Sequence, residues 1–198
     1  MNSFNYNELN TGDLILFNGK YFASSIIEYF TGSKYSHCAV IIKDPCFFDN
    51  SLKGIYVLES GSEPKPDPEN NREKIGVQLT PLNEIIKNYY GNLYVRKLEC
   101  LRDKNFYNKI TQIHSDVHNL PYDTDPIDWI KAEFNINIGN LQKTNTFWCS
   151  ALVSYFYVKL GYLNSDIPWT IITPQDLSAS SHRLDFKNCK LLKEILIR

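Results

Sequence analysis

The chain has no apolar run approaching the ~20 residues of a membrane-spanning helix. Its start, Met1-Asn2-Ser3-Phe4-Asn5-Tyr6-Asn7-Glu8, carries neither a basic stretch nor an apolar core. On those two grounds neither an integral membrane segment nor a secretory signal is expected. An excess of one charge is missing as well. Lys+Arg 21 against Asp+Glu 22 leave a net charge of −1, so no electrostatic argument points to nucleic acid or to an anionic membrane. Cysteines stand at 38, 46, 100, 149 and 189. An odd, scattered set without a Cys-x-x-Cys pair argues against a disulfide framework and fits reduced thiols in a cytoplasmic setting. Histidine is scarce: His37, His114, His118 and His182 are the whole supply. What remains is 198 residues with 43% hydrophobic content, enough for a single domain over 1–198 whose core needs no cross-links.

Within that frame the pattern reads as α+β, a mainly antiparallel sheet with helices beside it. Leu14-Ile15-Leu16-Phe17, Tyr35 to Ile42, Ile55 to Glu59, Gly76 to Leu79 and Leu93 to Leu98 are strand-like runs, and Leu191 to Ile197 is a last strand that closes the sheet. The second and third pair as neighbours across the turn-rich connection around Pro45. Helical spacing marks Phe22, Ile26, Ile27 and Phe30, then Phe106, Ile110, Ile113 and Val117, then Ile127, Ile130 and Phe134. Thr80-Pro81 opens a helix running to Tyr90, with Thr80 as its cap. Ser62 to Lys74, with Pro64, Pro66 and Pro68, reads as a mobile surface excursion. Thr173-Pro174-Gln175-Asp176 is a further helix start.

The stretch Phe147-Trp148-Cys149-Ser150 to Tyr157 is an apolar helix with a cysteine in its first turn. Leu152, Phe156, Lys159 and Leu160 follow the helical rhythm, Val153 and Tyr157 widen the apolar face, Thr146 or Asn145 serves as N-cap, and Gly161 fits a left-handed C-terminal cap. A helix N-terminus presents unpaired N–H groups and the positive end of the macrodipole, and both favour a thiolate. The plain alternative is a small buried hydrophobe. His37 stands at the mouth of a strand and Glu59 at the exit of the next. Alone, each reads as a structural hydrogen-bonder or a solvated strand end. Together with Cys149 they supply a sulfur, an imidazole to handle its proton and a third group to hold the ring. His114 and His118 lie four apart on one helix, which is one way to hold a metal, but no third ligand of zinc spacing stands beside them, and they read as a solvated face. His182 has no evident partner.

Thr11-Gly12-Asp13-Leu14-Ile15-Leu16-Phe17, Tyr35-Ser36-His37-Cys38-Ala39-Val40-Ile41, Val57-Leu58-Glu59-Ser60 and Phe147-Trp148-Cys149-Ser150-Ala151-Leu152-Val153, in that order, resemble the permuted NlpC-type papain-like hydrolases. More narrowly they resemble the YiiX and poxvirus-like branch, distant kin of lecithin:retinol acyltransferase, and Thr173-Pro174-Gln175-Asp176-Leu177 is similar to that branch's tail. The likeness spans about residues 11 to 178. It implies a circularly permuted papain-like fold, because the order here is His, Glu, Cys. It also implies Cys149 as nucleophile, His37 as base, Glu59 as the residue orienting His37, and chemistry on amide, thioester or ester bonds with neither cofactor nor metal.

Two function classes follow. The first is a cysteine hydrolase or acyltransferase acting on a peptide, an amino-acid amide or a lipid acyl group. Tyr35 and Trp148 are its candidate substrate-binding residues, and Phe22, Phe30, Trp169, Ile171 and Ile172 line a groove or fill core. The second is an inactive papain-like module that binds a peptide or lipid partner through aromatic surface.

Overall fold

The computed structural model describes residues 4–19, 34–125, 136–137 and 139–198, without the side chains of 62–65. The expected helices around Phe22 to Phe30 and Ile127 to Phe134 lie outside the described residues, as do Phe22 and Phe30 themselves.

The strands are β1 (Leu14–Gly19), β2 (His37–Lys43), β3 (Ile55–Pro66), β4 (Glu73–Pro81), β5 (Gly91–Arg96), β6 (Leu98–Glu99), β7 (Lys190–Leu191) and β8 (Ile195–Leu196). The helices are α1 (Leu82–Asn88), α2 (Lys104–Val117) and α3 (Cys149–Leu160). Six strands form one sheet in the order β4-β3-β2-β1-β5-β8, and every pair is antiparallel. β6 and β7 form a separate small ladder.

Both faces of this sheet are covered. Leu14, Leu16, Cys38, Val40, Ile42, Leu58 and Leu79 pack with α2 and α3. Ile15, Phe17, Ala39, Ile41, Val57 and Val95 pack with α1, Leu9 and Ile197. Side chains alternate across a strand, so a strand buried on both faces reads as an unbroken apolar run. That is why Leu14 to Phe17 and Cys38 to Ile42 show no polar alternation.

α3 is buried around nearly its whole circumference. The expected single face is too narrow a description: only Val158 is half-buried and only Lys159 exposed, its ammonium 5.2 Å over the Tyr155 ring. Such all-round apolarity belongs to a helix with neighbours on every side. Ser150 donates to the Ile172 carbonyl at 2.6 Å and Tyr157 to the Gly12 carbonyl at 2.9 Å, which fixes both ends of the helix. Gly161 caps it at φ 84°, as its position predicts. The N-cap is Trp148, which makes no side-chain cap bond, and not Thr146 or Asn145.

Four further expectations need correction. Ser62 to Lys74 is no loose excursion, since β3 runs on to Pro66 and pairs with β4 from Glu73 onward. The ladder is irregular between Gly61 and Lys65, the kind of break where strands tolerate proline. Thr80 caps nothing: it lies in β4, and α1 begins at Leu82. The helix start at Thr173 closes into one 3-10 turn, Gln175–Leu177, with the Asp176 carboxylate accepting from the Thr173 N–H and hydroxyl. The last strand is split into β7 and β8, and β8 takes the sheet edge.

One glycine is dictated by close approach. Gly76 sits at φ 126°, and a Cβ there would fall 2.3 Å from the Leu120 carbonyl oxygen. This contact lets residues 119–122 lie along β4, where Val77 donates to Leu120 and Gly76 bridges Pro121. Tyr122 then bridges Phe147, two residues ahead of Cys149.

Candidate active site

The ladder between β2 and β3 runs from Lys43↔Ile55 to Val40↔Leu58 and ends there. Beyond it His37 and Glu59 face each other, His37 Nε2 standing 2.9 Å from Glu59 Oε2. Both are deeply buried, His37 at 4% and Glu59 at 0% exposure. A carboxylate so far from water needs donors. The Thr80 hydroxyl supplies one, donating to Glu59 Oε1 at 2.5 Å. Phe17 meets the imidazole edge-on with ring centroids 4.8 Å apart, which limits how the ring can turn.

Cys149 opens α3, so its own N–H belongs to the first turn, which the helix cannot pair internally. The Ser60 hydroxyl donates to the Phe147 carbonyl at 2.5 Å and ties the start of α3 to the residue after Glu59. The Cys38 thiol, hydrogen-bonding toward the Cys149 sulfur, has the largest influence on that thiol; with the charge and ring of His37 and the Cys38 backbone N–H it outweighs burial and holds Cys149 well below its ordinary range. Burial pushes His37 down, but the Cys149 thiolate and then Glu59 push harder, and its pKa stands at about 9. Glu59 occupies Nε2, which leaves Nδ1 as the ring nitrogen for sulfur. Both shifts favour a thiolate beside an imidazolium.

No known family profile and no curated protein sequence matches the chain. Among solved structures it is similar to the crystal structure of the metalloprotein YiiX from Escherichia coli O157:H7, at 18% identity and a TM-score of 0.50, over 96% of each chain. The fold is YiiX-like. At this identity the likeness establishes an α+β fold with a mostly antiparallel sheet, and the roles of individual residues must rest on the geometry above.

In this YiiX-like core the two candidate substrate-binding residues are interior. Tyr35 is 1% exposed and meets Tyr94 edge-on at 5.7 Å, and Trp148 is 2% exposed. As they stand, neither presents a face to solvent. Trp169, Ile171 and Ile172 are core residues too. Asp13 has a structural post, accepting from Leu98 N–H at 2.8 Å and Asn10 N–H at 2.9 Å. His182 is exposed.

His114 and His118 depart furthest from expectation. They are not a solvated face: His114 is buried and His118 half-buried, and both point at the turn of the β3–β4 hairpin. Burial alone would push the Asp67 and Glu69 carboxyls up, but His118 and Lys74 around Asp67, and His114 and His118 around Glu69, win and hold both at about 2. Glu69, His114 and His118 bring their donor atoms within 4.8 Å of one another, so these three fit a cation.

Sequence reasoning missed Cys38, Thr80 and the carboxylates Asp67 and Glu69. Cys38 is adjacent to His37 in the chain, which was the one available hint. Nothing local marks the other three. All five cysteines are free, and among the described residues no helix is long and apolar enough to cross a membrane.

Proposed function

We propose that the protein is a cysteine hydrolase or acyltransferase on a permuted papain-like core. The observation that carries this is the 2.9 Å His37–Glu59 pair beside the Cys149 sulfur at the first turn of α3, a thiol that Cys38 and His37 hold well below its ordinary range. In the resting state the Cys149 thiolate is paired with the His37 imidazolium. The thiolate attacks the acyl carbon of an amide, thioester or ester, and the carbonyl oxygen takes up negative charge. The Cys149 N–H and the helix dipole stabilise that oxyanion. His37 donates its proton to the departing amine, thiol or alcohol as the C–X bond breaks, leaving a Cys149 acyl-enzyme. Neutral His37 then takes a proton from water, or from an acceptor hydroxyl or amine, which attacks the thioester and releases Cys149. Glu59 keeps Nε2 occupied and stabilises the imidazolium in both halves.

The YiiX neighbour is described as a metalloprotein. In this chain Glu69, His114 and His118 fit a cation, whereas the steps above use Cys149, His37 and Glu59. A peptide, an amino-acid amide and a lipid acyl group all suit the chemistry.

The test is labelling followed by trapping. Iodoacetamide at neutral pH should alkylate Cys149 ahead of the other four cysteines, and His37→Ala should abolish that preference. Mass spectrometry after exposure to fatty-acyl thioesters or peptide esters should then find the acyl group on Cys149. The 5% exposure of Cys149 favours the second reading, an inactive binding module. Equal alkylation of all accessible thiols, with no acyl adduct from any donor, would decide for it.

A further inference from the structure

We propose that Glu69, His114 and His118 form a binding site for a divalent transition-metal ion of the zinc class, apart from the cysteine site. His114 lies in the last turn of α2 and His118 is its C-cap. This i, i+4 spacing stacks the two rings at 4.6 Å and 23°. Both Nε2 atoms converge on one oxygen, Glu69 Oε2, at 2.9 Å from His114 and 2.8 Å from His118. Tetrahedral zinc with ligand bonds of ~2.0–2.1 Å sets its donor atoms roughly 3.3 Å apart. The two N···O separations need to lengthen by only a few tenths of an ångström to admit the ion, and all three donor atoms already lie within 4.8 Å of one another.

The scaffold is rigid on both sides. Phe48 stacks on the outer face of His114 at 3.8 Å and 13°. Glu69 sits in the hairpin turn, where its N–H donates to Asp67 Oδ1 at 2.9 Å and the Asp67 N–H in turn donates to the Arg72 carbonyl at 3.0 Å. The histidines and the carboxylate come from different elements, so the ion would join the hairpin tip to the end of α2. Beyond His118, residues 119–122 run along β4 to the Tyr122–Phe147 bridge, and the site thereby braces the segment that delivers Cys149. A structural role is therefore assigned to the ion.

Two groups set how tightly it binds. Asp67 Oδ2 is 3.0 Å from His118 Nε2 and puts a second carboxylate beside the three ligands. Lys74 holds that oxygen at 2.5 Å and comes within 3.0 Å of the same imidazole nitrogen. Its ammonium is the built-in competitor, and a divalent ion must turn it outward. Removing the lysine charge should tighten binding, an outcome that a network of ion pairs without a metal does not produce.

The experiment uses the full chain stripped with a chelator, dialysed against Zn²⁺ or Co²⁺ and desalted. Elemental analysis should find one ion per chain. The Co²⁺ form should show tetrahedral d–d bands without a sulfur-to-cobalt charge-transfer band, which marks nitrogen and oxygen ligands and excludes Cys38 and Cys149. His118→Ala and Glu69→Gln should each lower affinity at least about tenfold, Lys74→Gln should raise it, and Cys149→Ala should leave it unchanged. Glu69→Gln keeps side-chain size, so it reads the site even where His118→Ala fails to fold. Wild type retaining no stoichiometric ion, a thiolate charge-transfer band, or an affinity lost in Cys149→Ala but kept in Glu69→Gln would each overturn the proposal.

Discussion

Thr80→Val exchanges a hydroxyl for a methyl of nearly equal volume at a side chain packed beside Glu59, so it opens no cavity. What it removes is the 2.5 Å hydrogen bond from Thr80 Oγ1 to Glu59 Oε1. Glu59 is 0% exposed, so water cannot replace the lost donor. A hydrogen bond to a charged group contributes about 1.5–3 kcal/mol. For a chain of this length each kcal/mol moves the melting temperature by roughly 2–4 °C, so the variant should melt roughly 3–12 °C below wild type. Thr80→Ser keeps the hydroxyl and loses one methyl, at a cost of about 0.8 kcal/mol. Urea unfolding at pH 7, with the m-value unchanged between variants, measures both differences. The order should be wild type, then Ser, then Val. The Val variant should also weaken the hold of Glu59 on His37, so the alkaline fall in turnover should move to lower pH. A Val variant within about 0.5 kcal/mol of wild type, or a Ser variant as unstable as Val, would refute the role given to this bond.

The alkaline limb is itself a prediction. His37 has a pKa of about 9, so turnover that needs the imidazolium should fall as pH rises through that value, and Glu59→Gln should move the fall to lower pH. The same shift bears on stability. The folded pKa lies above the ordinary 6.5, so the contribution of His37 is fully present below pH 6.5 and fades as pH climbs toward 9; unfolding titrations across that window should show it, and His37→Gln should flatten it. Cys38→Ala removes the largest influence that lowers the Cys149 thiol, so that thiol should ionise at higher pH and alkylate more slowly at neutrality, with Cys38→Ser recovering part of the loss. Gly76→Ala forces a Cβ within 2.3 Å of a backbone oxygen at φ 126° and should cost on the order of 2–3 kcal/mol, read as a lower urea midpoint.

Local pattern carried a good part of this protein. The apolar spacing of Leu152, Phe156 and Leu160 with Gly161 behind them was enough to put Cys149 at the start of a helix, because helical periodicity and left-handed caps are properties of a few neighbouring residues. The apolar run after His37 likewise put that residue at the start of a strand, whereas Glu59, read as a strand exit, lies inside β3, which runs on to Pro66. The antiparallel pairing of β2 with β3 followed from the turn around Pro45. The partners of those residues were not legible. Thr80 looked like a helix cap because Thr-Pro is a local signal, and only the β3–β4 register turns its hydroxyl to Glu59. Cys38 looked like one more apolar strand residue, and only the seating of α3 on the sheet brings it to the Cys149 sulfur. His114 and His118 displayed their spacing openly, yet their carboxylate partners come from a hairpin turn 45 and 51 residues earlier in the chain. Periodicity and capping act over one or two turns of chain, whereas hydrogen-bond partners in a core are selected by sheet order and register. The sequence determined which elements form and which groups stand at their ends, and the tertiary structure decided which of those groups meet.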